Sequence, residues 1–208
     1  MSAAWCALLA LAIALVPAAS RAQSGERDSV IYVLSAASRL EVKTGKAGLL
    51  GFAGHAHLVR ARAFSGRMVY NPNAPSESRV EITVPAESLE VLTPPDTAER
   101  RKVTQAMRTE VLHAAEYPLI SFVSTGMTAI PDGFRVRGQL TLAGQTRDVT
   151  TDMRVEIGTD TLRATGSFSV KQTEFGIKPY RGGPGGTVRV ADRVTFSLEA
   201  VGTRSPQP

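Results

Sequence analysis

Apolar and polar residues alternate with a period of two through most of the chain after Val30. In the clearest stretch, residues 133–144, one face carries Phe134, Val136, Leu140 and Leu142. Successive side chains of a β-strand leave by opposite faces, so this alternation predicts strands with one dry and one wet face. Comparable runs, separated by turns rich in Gly, Pro, Asn or Asp, predict roughly eight or more strands. They lie at residues 30–34, 40–43, 58–68, 79–84, 119–123, 133–144, 153–157, 162–171 and 193–200.

One segment, residues 96–115, departs from this period and contains neither glycine nor proline. Val103, Met107 and Val111 recur there every four residues, which predicts an amphipathic helix with a narrow apolar stripe. Asp96 and Glu99 have the spacing of a capping box at its start, and Pro118 prevents its continuation.

A single helix among many alternating strands indicates an all-β, mainly antiparallel fold. A closed barrel and a β-sandwich both satisfy the alternation, and spacing alone does not separate them. A membrane-spanning barrel is disfavoured, because aromatic residues are few and form no girdles.

The N-terminus resembles an export signal, with ten consecutive apolar residues at 7–16 and small residues at Ser20 and Ala22. We therefore expect a signal peptide over residues 1–22 with cleavage after Ala22, and a periplasmic or secreted protein without a membrane span in its mature chain. The lone Cys6 leaves with the signal, so no disulfide contributes. We expect disorder over 23–29, one domain over 30–202 and a disordered tail over 203–208.

The formal net charge is +5, and the charged residues are dispersed along the predicted strands. This dispersal indicates solubility and disfavours nucleic acid as a partner. The mature chain has no cysteine nucleophile, no Gly-x-Ser-x-Gly elbow and no His-Glu-x-x-His motif. We therefore expect a binding protein rather than an enzyme.

Four blocks resemble the YceI-like family of periplasmic polyisoprenoid-binding proteins. They are GFAGHAHLVRARAFSGRM, the helix that runs into YPLISFVSTGM, the hairpin VRGQLTLAGQTRDVT, and FSVKQTEFGI. The resemblance implies a lipocalin-like, closed or nearly closed β-barrel of about eight strands with one helix. It also implies that the lumen holds an isoprenoid lipid, such as a quinone tail or a polyprenyl lipid, without a covalent cofactor.

Two histidines, His55 and His57, are two residues apart and share a strand face with Val59, Ala61 and Ala63. Three interpretations stay open: structural hydrogen bonds at a barrel mouth, contact with a lipid head group, or a metal site. A metal would need a third ligand, from His113 or a carboxylate. A bulge at Gly54 would reverse the face of one histidine.

The glycine-rich segment 182–186 follows Lys178 and Arg181, and these could together hold a phosphate or a quinone carbonyl. A plain loop between strands is the alternative. Small residues lie on the dry faces at Ala61, Ala63, Gly138, Ala164 and Gly166. They either leave room for a ligand or fit a taper of the barrel. The predicted ligand-binding residues of lumen and mouth are His55, His57, Val59, Ala61, Ala63, Val80, Ile82, Ile120, Phe122, Val136, Leu140, Phe168, Lys178 and Arg181.

The sequence thus predicts an exported barrel that binds an amphiphilic lipid, either a polyisoprenoid or an isoprenoid quinone. One alternative is a metal-binding barrel that uses His55 and His57. The other is a solidly packed structural or interaction module. Self-association into a homodimer is compatible with each.

Overall fold

The structure, a computed structural model, describes residues 29–47, 56–93, 96–182 and 188–206. The predicted signal peptide and His55 lie outside these residues. The strands are β1 Val30–Leu34, β2 Arg39–Ala47, β3 Leu58–Ala61, β4 Ser65–Tyr70, β5 Arg79–Pro85, β6 Leu89–Val91, β7 Leu119–Ile130, β8 Gly133–Leu142, β9 Gln145–Ile157, β10 Thr161–Lys171, β11 Arg181–Gly182 and β12 Val188–Arg204. One α-helix, α1, spans Thr97–Ala106 in the described part of the chain. It is not long or apolar enough to cross a membrane.

Eight antiparallel strands of the described residues close into a barrel, as predicted for the fold. The ring runs β1, β4, β5, β7, β8, β9, β10 and β12, and β12 pairs with β1 again. Closure depends on the length of β12, whose residues 202–204 pair with β1 while residues 189–199 pair with β2. The alternation predicted for β8 is confirmed, since Val136, Leu140 and Leu142 are buried.

Three of the barrel strands are interrupted, at residues 35–38, 62–64 and 86–88. Beyond these breaks β2, β3 and β6 continue β1, β4 and β5 and pair in the order β12–β2–β3–β6. The breaks are joined by hydrogen bonds: the Arg62 N–H donates to the Ser88 carbonyl (3.0 Å), and the Ser88 hydroxyl donates to the Ala63 carbonyl (2.9 Å). The backbone groups that leave the strand ladder therefore find partners across the breaks.

Strand β6 pairs only with β3 among the described strands, and helix α1 lies against its other edge. The Val91 N–H donates to Thr104 Oγ1 (3.1 Å), and the Arg108 guanidinium donates to the Leu89 carbonyl (2.8 and 3.0 Å). Helix α1 and the turn directly after it thus satisfy backbone groups that an open sheet edge would leave to water. We call this end of the barrel, with α1, the end of β2 and the start of β3, the helix end.

The predicted helix over 96–115 is too long. Asp96 does cap its start, accepting from the Glu99 N–H at 2.7 Å. The α-helix ends at Ala106 and is followed by a π-helical turn, Met107–Val111. His113 then has a left-handed backbone conformation (φ 48°), which reverses the chain toward β7.

The described fold extends slightly beyond the expected domain of residues 30–202. Thr203 and Arg204, assigned to the tail, pair with Val33 and Tyr32 of β1, because this pairing closes the ring. Ser29, assigned to the disordered N-terminal segment, is buried. The folded part of the chain therefore begins before residue 30 and extends past residue 202.

Candidate functional site in the barrel lumen

The barrel encloses a cavity of about 720 Å³. Aliphatic and aromatic side chains from β2 to β10, from β12 and from α1 form most of its lining. Its volume lies within the roughly 300–1,000 Å³ of small-molecule and cofactor sites. The predicted residues that line it are His57, Val59, Ala61, Val80, Ile82, Ile120, Phe122, Val136, Leu140 and Phe168.

A cavity of this size has a clear energetic consequence. At about 24 cal/mol per Å³ of apolar void, 720 Å³ held dry and empty costs on the order of 17 kcal/mol. A whole domain is stable by only about 5–15 kcal/mol. A dry and empty lumen is therefore excluded, and solvent or a ligand fills the space that the side chains leave.

Small residues on the inner face have two different roles. A Cβ on Gly138 would meet the Phe122 ring at 2.5 Å, and a Cβ on Gly166 would collide with Met153. These two glycines make room for neighbouring side chains and not for a ligand. Ala61, Ala164 and Ala200 line the cavity itself, and the last two are direct neighbours across β10 and β12.

Aromatic rings stiffen the wall of the cavity. Tyr70 and Phe134 pack edge to face with centroids 6.4 Å apart, and Phe168 and Phe196 stack in parallel at 5.0 Å. All four line the cavity. Such pairs contribute about 0.5–1.5 kcal/mol beyond their burial, so the lumen has a partly preformed shape.

The charged side chains of the helix, with His57 and Tyr180, lie in the lining at the helix end, whereas the hydroxyls of Ser78, Ser121, Thr151 and Ser197 lie elsewhere along it. Thr44 lies on β2 and His57 directly before β3. Glu99 and Lys102 lie on α1, and Tyr180 lies directly before β11. The cavity is therefore mainly apolar, and the charged lining residues of the helix are at this rim. Such an arrangement suits a ligand with one long apolar part and one polar end.

His57 is held in a defined orientation at the rim. Its backbone N–H donates to Thr44 Oγ1 (3.0 Å), and its ring Nδ1 lies 3.0 Å from the Thr93 carbonyl oxygen. A carbonyl oxygen only accepts, so Nδ1 is the donor in this contact, and whenever the ring is neutral Nε2 is an acceptor. The ring can thus receive a hydrogen bond from a ligand hydroxyl.

Three predicted residues do not line the cavity. Ala63 is exposed, because β3 ends at Ala61 and the chain bends before β4. Lys178 and Arg181 are exposed, and Tyr180 between them lines the cavity instead. An extended chain sends neighbouring side chains to opposite sides, so Arg181 points outward where Tyr180 points inward.

Several lining residues were missed by the sequence reasoning. Met153, Val155 and Leu162 lie on the apolar faces predicted for β9 and β10, so the alternation already contained the signal for them. Val103, Met107 and Val111 form the stripe of the predicted helix, and they face the lumen. Tyr180 has no periodic neighbours, and nothing in the sequence pointed to it.

A metal site finds no support in this region. No group of three or more His, Cys, Asp or Glu side chains within the described residues is arranged to hold a metal ion. His55 lies outside those residues, and His57 has backbone and hydroxyl partners. The metal-binding alternative therefore lacks a donor set in the described part of the chain.

An eight-stranded antiparallel barrel around a ligand-sized apolar cavity, with a helix at its rim, is a lipocalin-like binding fold. The family profile described as YceI-like domain matches residues 32–201. The chain belongs to the YceI-like family, and the resemblance noted from the sequence is confirmed.

Solved structures share this fold. BcnA of Burkholderia cenocepacia is 20% identical, with a TM-score of 0.63, and the match covers 81% of this chain and 98% of BcnA. A polyisoprenoid binding domain from Saccharophagus degradans, implicated in plant cell wall breakdown, is 10% identical with a TM-score of 0.58. The match covers 84% of this chain and 98% of that domain. The YceI protein of Campylobacter jejuni is 14% identical with a TM-score of 0.55, and the match covers 71% of this chain and 85% of that protein. No curated protein sequence matches the chain.

Proposed function

We propose that the protein binds an amphiphilic lipid, a polyisoprenoid or an isoprenoid quinone, in the barrel lumen and carries it as a periplasmic or secreted protein. The observation behind this proposal is the apolar cavity of about 720 Å³ inside the barrel. The family membership and the similarity to a polyisoprenoid binding domain support the same class of ligand. The proposal involves binding and no chemical step on the ligand.

The shape of the cavity favours a chain over a compact ligand. On β8 the lining extends from Phe134 to Leu142, which is about 27 Å of strand at roughly 3.4 Å per residue. With a strand tilt of about 35–45°, this corresponds to roughly 20 Å along the barrel axis. A flexible hydrocarbon tail can follow such a lumen past the uneven wall formed by the aromatic pairs.

The polar rim is the place for the head group of the lipid. In this proposal His57 accepts a hydrogen bond from a hydroxyl through Nε2, and Lys102 and Tyr180 donate to carbonyl or phosphate oxygens. The tail contacts the lining residues below the rim. Lys178 and Arg181, which point outward, take no part in holding the head group.

Native mass spectrometry of the protein purified under mild conditions from its own source tests the proposal. We expect an adduct of lipid mass in one-to-one ratio with the chain, and organic extraction should release an isoprenoid. A barrel that carries no lipid after such a purification, and takes up none when isoprenoid alcohol or quinone is added, would overturn the proposal.

A further inference from the structure

Ion pairs join several charged residues of the described outer wall. Arginines of the wall face carboxylates in the pairs Arg60–Glu41, Arg62–Glu90, Arg135–Asp152, Arg154–Asp132 and Arg163–Glu199. Opposite charges on directly facing strand positions stabilise a sheet, and like charges destabilise it. The wall therefore follows the arrangement expected of a solvent-exposed sheet.

One part of the wall breaks this rule. Lys171 of β10 lies directly opposite Arg193 of β12, and Arg181 of β11 lies directly opposite Arg189 of β12. All four side chains are exposed. Two facing pairs of like charge on adjoining strands indicate a surface adapted to something other than the stability of the sheet.

These pairs belong to a larger basic face. We define it by its exposed cations: Lys43, Lys171, Lys178, Arg181, Arg189 and Arg193. Two carboxylates lie within its segments: Asp192, bound by the Thr173 N–H and hydroxyl (2.9 and 2.8 Å), and Glu174, which accepts from the Lys171 N–H at 3.4 Å. Glu41, two residues before Lys43, pairs with Arg60, and Glu99 and Glu110 line the neighbouring rim. Among the described residues of these segments, cations therefore outnumber carboxylates. Strand pairing thus brings together cations that lie far apart in the sequence.

The basic face is the outer side of the segments that form the cavity rim. Tyr180 lines the cavity and Arg181 next to it points outward, while Val190 lines the cavity and Arg189 next to it is exposed. Positive charge is thus placed directly beside the polar rim of the lumen.

We propose that the basic face docks the protein on a bilayer surface that contains anionic phospholipid, with the rim of the cavity at the membrane. The inference rests on the proposed function, because an isoprenoid lipid has a negligible free concentration in water and must be exchanged by contact with a membrane. Lys and Arg side chains near an anionic bilayer surface are attracted to it, and the cations of the basic face are exposed and adjacent. The negative charge of such a bilayer complements the basic face, and its lipids complement the apolar cavity.

Vesicle flotation with the purified protein tests the inference. The vesicles are phosphatidylcholine with or without phosphatidylglycerol, and the variant is Arg181→Glu with Arg193→Glu. Each cation removed should weaken binding about fivefold, so the pair should lose at least roughly 25-fold. Wild-type binding should also fall between about 0.1 M and 1 M salt, as the Debye length shrinks from about 10 Å to 3 Å.

A matched control carries the same change of charge at the opposite end of the barrel: Arg79→Glu with Arg204→Glu, both exposed. It should bind vesicles as the wild type does. Equal wild-type binding to both kinds of vesicle, an equal loss in the control, or equally tight binding to duplex DNA would overturn the inference.

A second readout separates this inference from the proposed function. The Arg181→Glu, Arg193→Glu variant should still take up an isoprenoid alcohol from detergent solution, as measured by native mass spectrometry, because its cavity is unchanged. Loss of vesicle binding with retained uptake supports docking through the basic face. Vesicle binding by a wild-type protein that takes up no lipid would leave the docking surface in place and refute the lipid-carrying function that the inference invokes.

Discussion

Filling the lumen at mid-height tests whether a ligand occupies it. Ala61, the last residue of β3, is 5% exposed, lines the cavity and faces Leu89 of β6. Ala61→Phe adds the six carbons of a phenyl ring to the space below the rim. If the ring displaces about as many ligand carbons at about 0.8 kcal/mol each, binding weakens by roughly 5 kcal/mol, or between three and four powers of ten in Kd.

The same substitution two residues later is the control. Ala63 lies in the bend after β3 and is exposed, so Ala63→Phe adds an equal apolar side chain outside the cavity. It should leave ligand binding unchanged. The comparison separates a loss of cavity space from a general effect of a large side chain in this segment.

The assay is titration of the extracted, ligand-free protein with an isoprenoid alcohol, followed by native mass spectrometry or calorimetry. The folded state is checked by the thermal midpoint of the ligand-free protein. Ala61→Phe should not lower it, because burying about 150 Å² of phenyl gains about 4 kcal/mol against roughly 1–3 kcal/mol of packing strain. A folded Ala61→Phe protein with wild-type affinity would refute the view that the ligand extends through the lumen past this residue.

Three further substitutions test the supports of the site. Thr104→Val leaves the buried Val91 N–H without its acceptor and should cost about 1–3 kcal/mol in urea unfolding; Thr104→Ser, which keeps the hydroxyl, should cost clearly less. The hydrogen bond from the Thr173 N–H is the main cause that holds the pKa of Asp192 below its ordinary 3.8. Asp192→Asn should therefore be less stable than the wild type above about pH 4, and this difference in unfolding free energy should vanish as the pH falls through the folded-state pKa. A difference that does not change with pH would contradict this. Gly138→Ala places a Cβ 2.5 Å from the Phe122 ring and 2.6 Å from the Val123 carbonyl oxygen and should lower stability by about 1–3 kcal/mol in the same unfolding measurement, whereas an unchanged midpoint would contradict this close packing.

Whether a predicted residue lines the cavity depends on whether its strand continues without a break at that position. Residues within long uninterrupted strands, such as Phe122, Val136 and Phe168, line the cavity as their parity predicted. Parity fails at Ala63, because the strand breaks after Ala61 and alternation holds only while the chain stays extended. Parity also does not show that a neighbouring ring already fills the space beside Gly138. That filling depends on which strand lies next to this glycine.

The basic face shows the same limit for charge. Lys171 and Arg193 are 22 positions apart in the sequence, and only the pairing of β10 with β12 sets them side by side. Along the chain each stands in an ordinary alternating strand, and nothing there indicates a neighbour of like charge. Long-range pairing, which the pattern of a single strand does not encode, therefore decides the electrostatics of the rim.

By itself the sequence determined the strand-rich fold class, the dry and wet face of most strands, the start of the helix and the family. These features depend on local periodicity and on motifs that are continuous in the chain. Only the tertiary structure decided that the ring closes through the end of β12, that helix α1 covers the edge of β6, and that a cavity is left inside. The reason is that closure and empty space depend on all strands at once: the volume of the lumen is what remains after the side chains of every strand have packed into it.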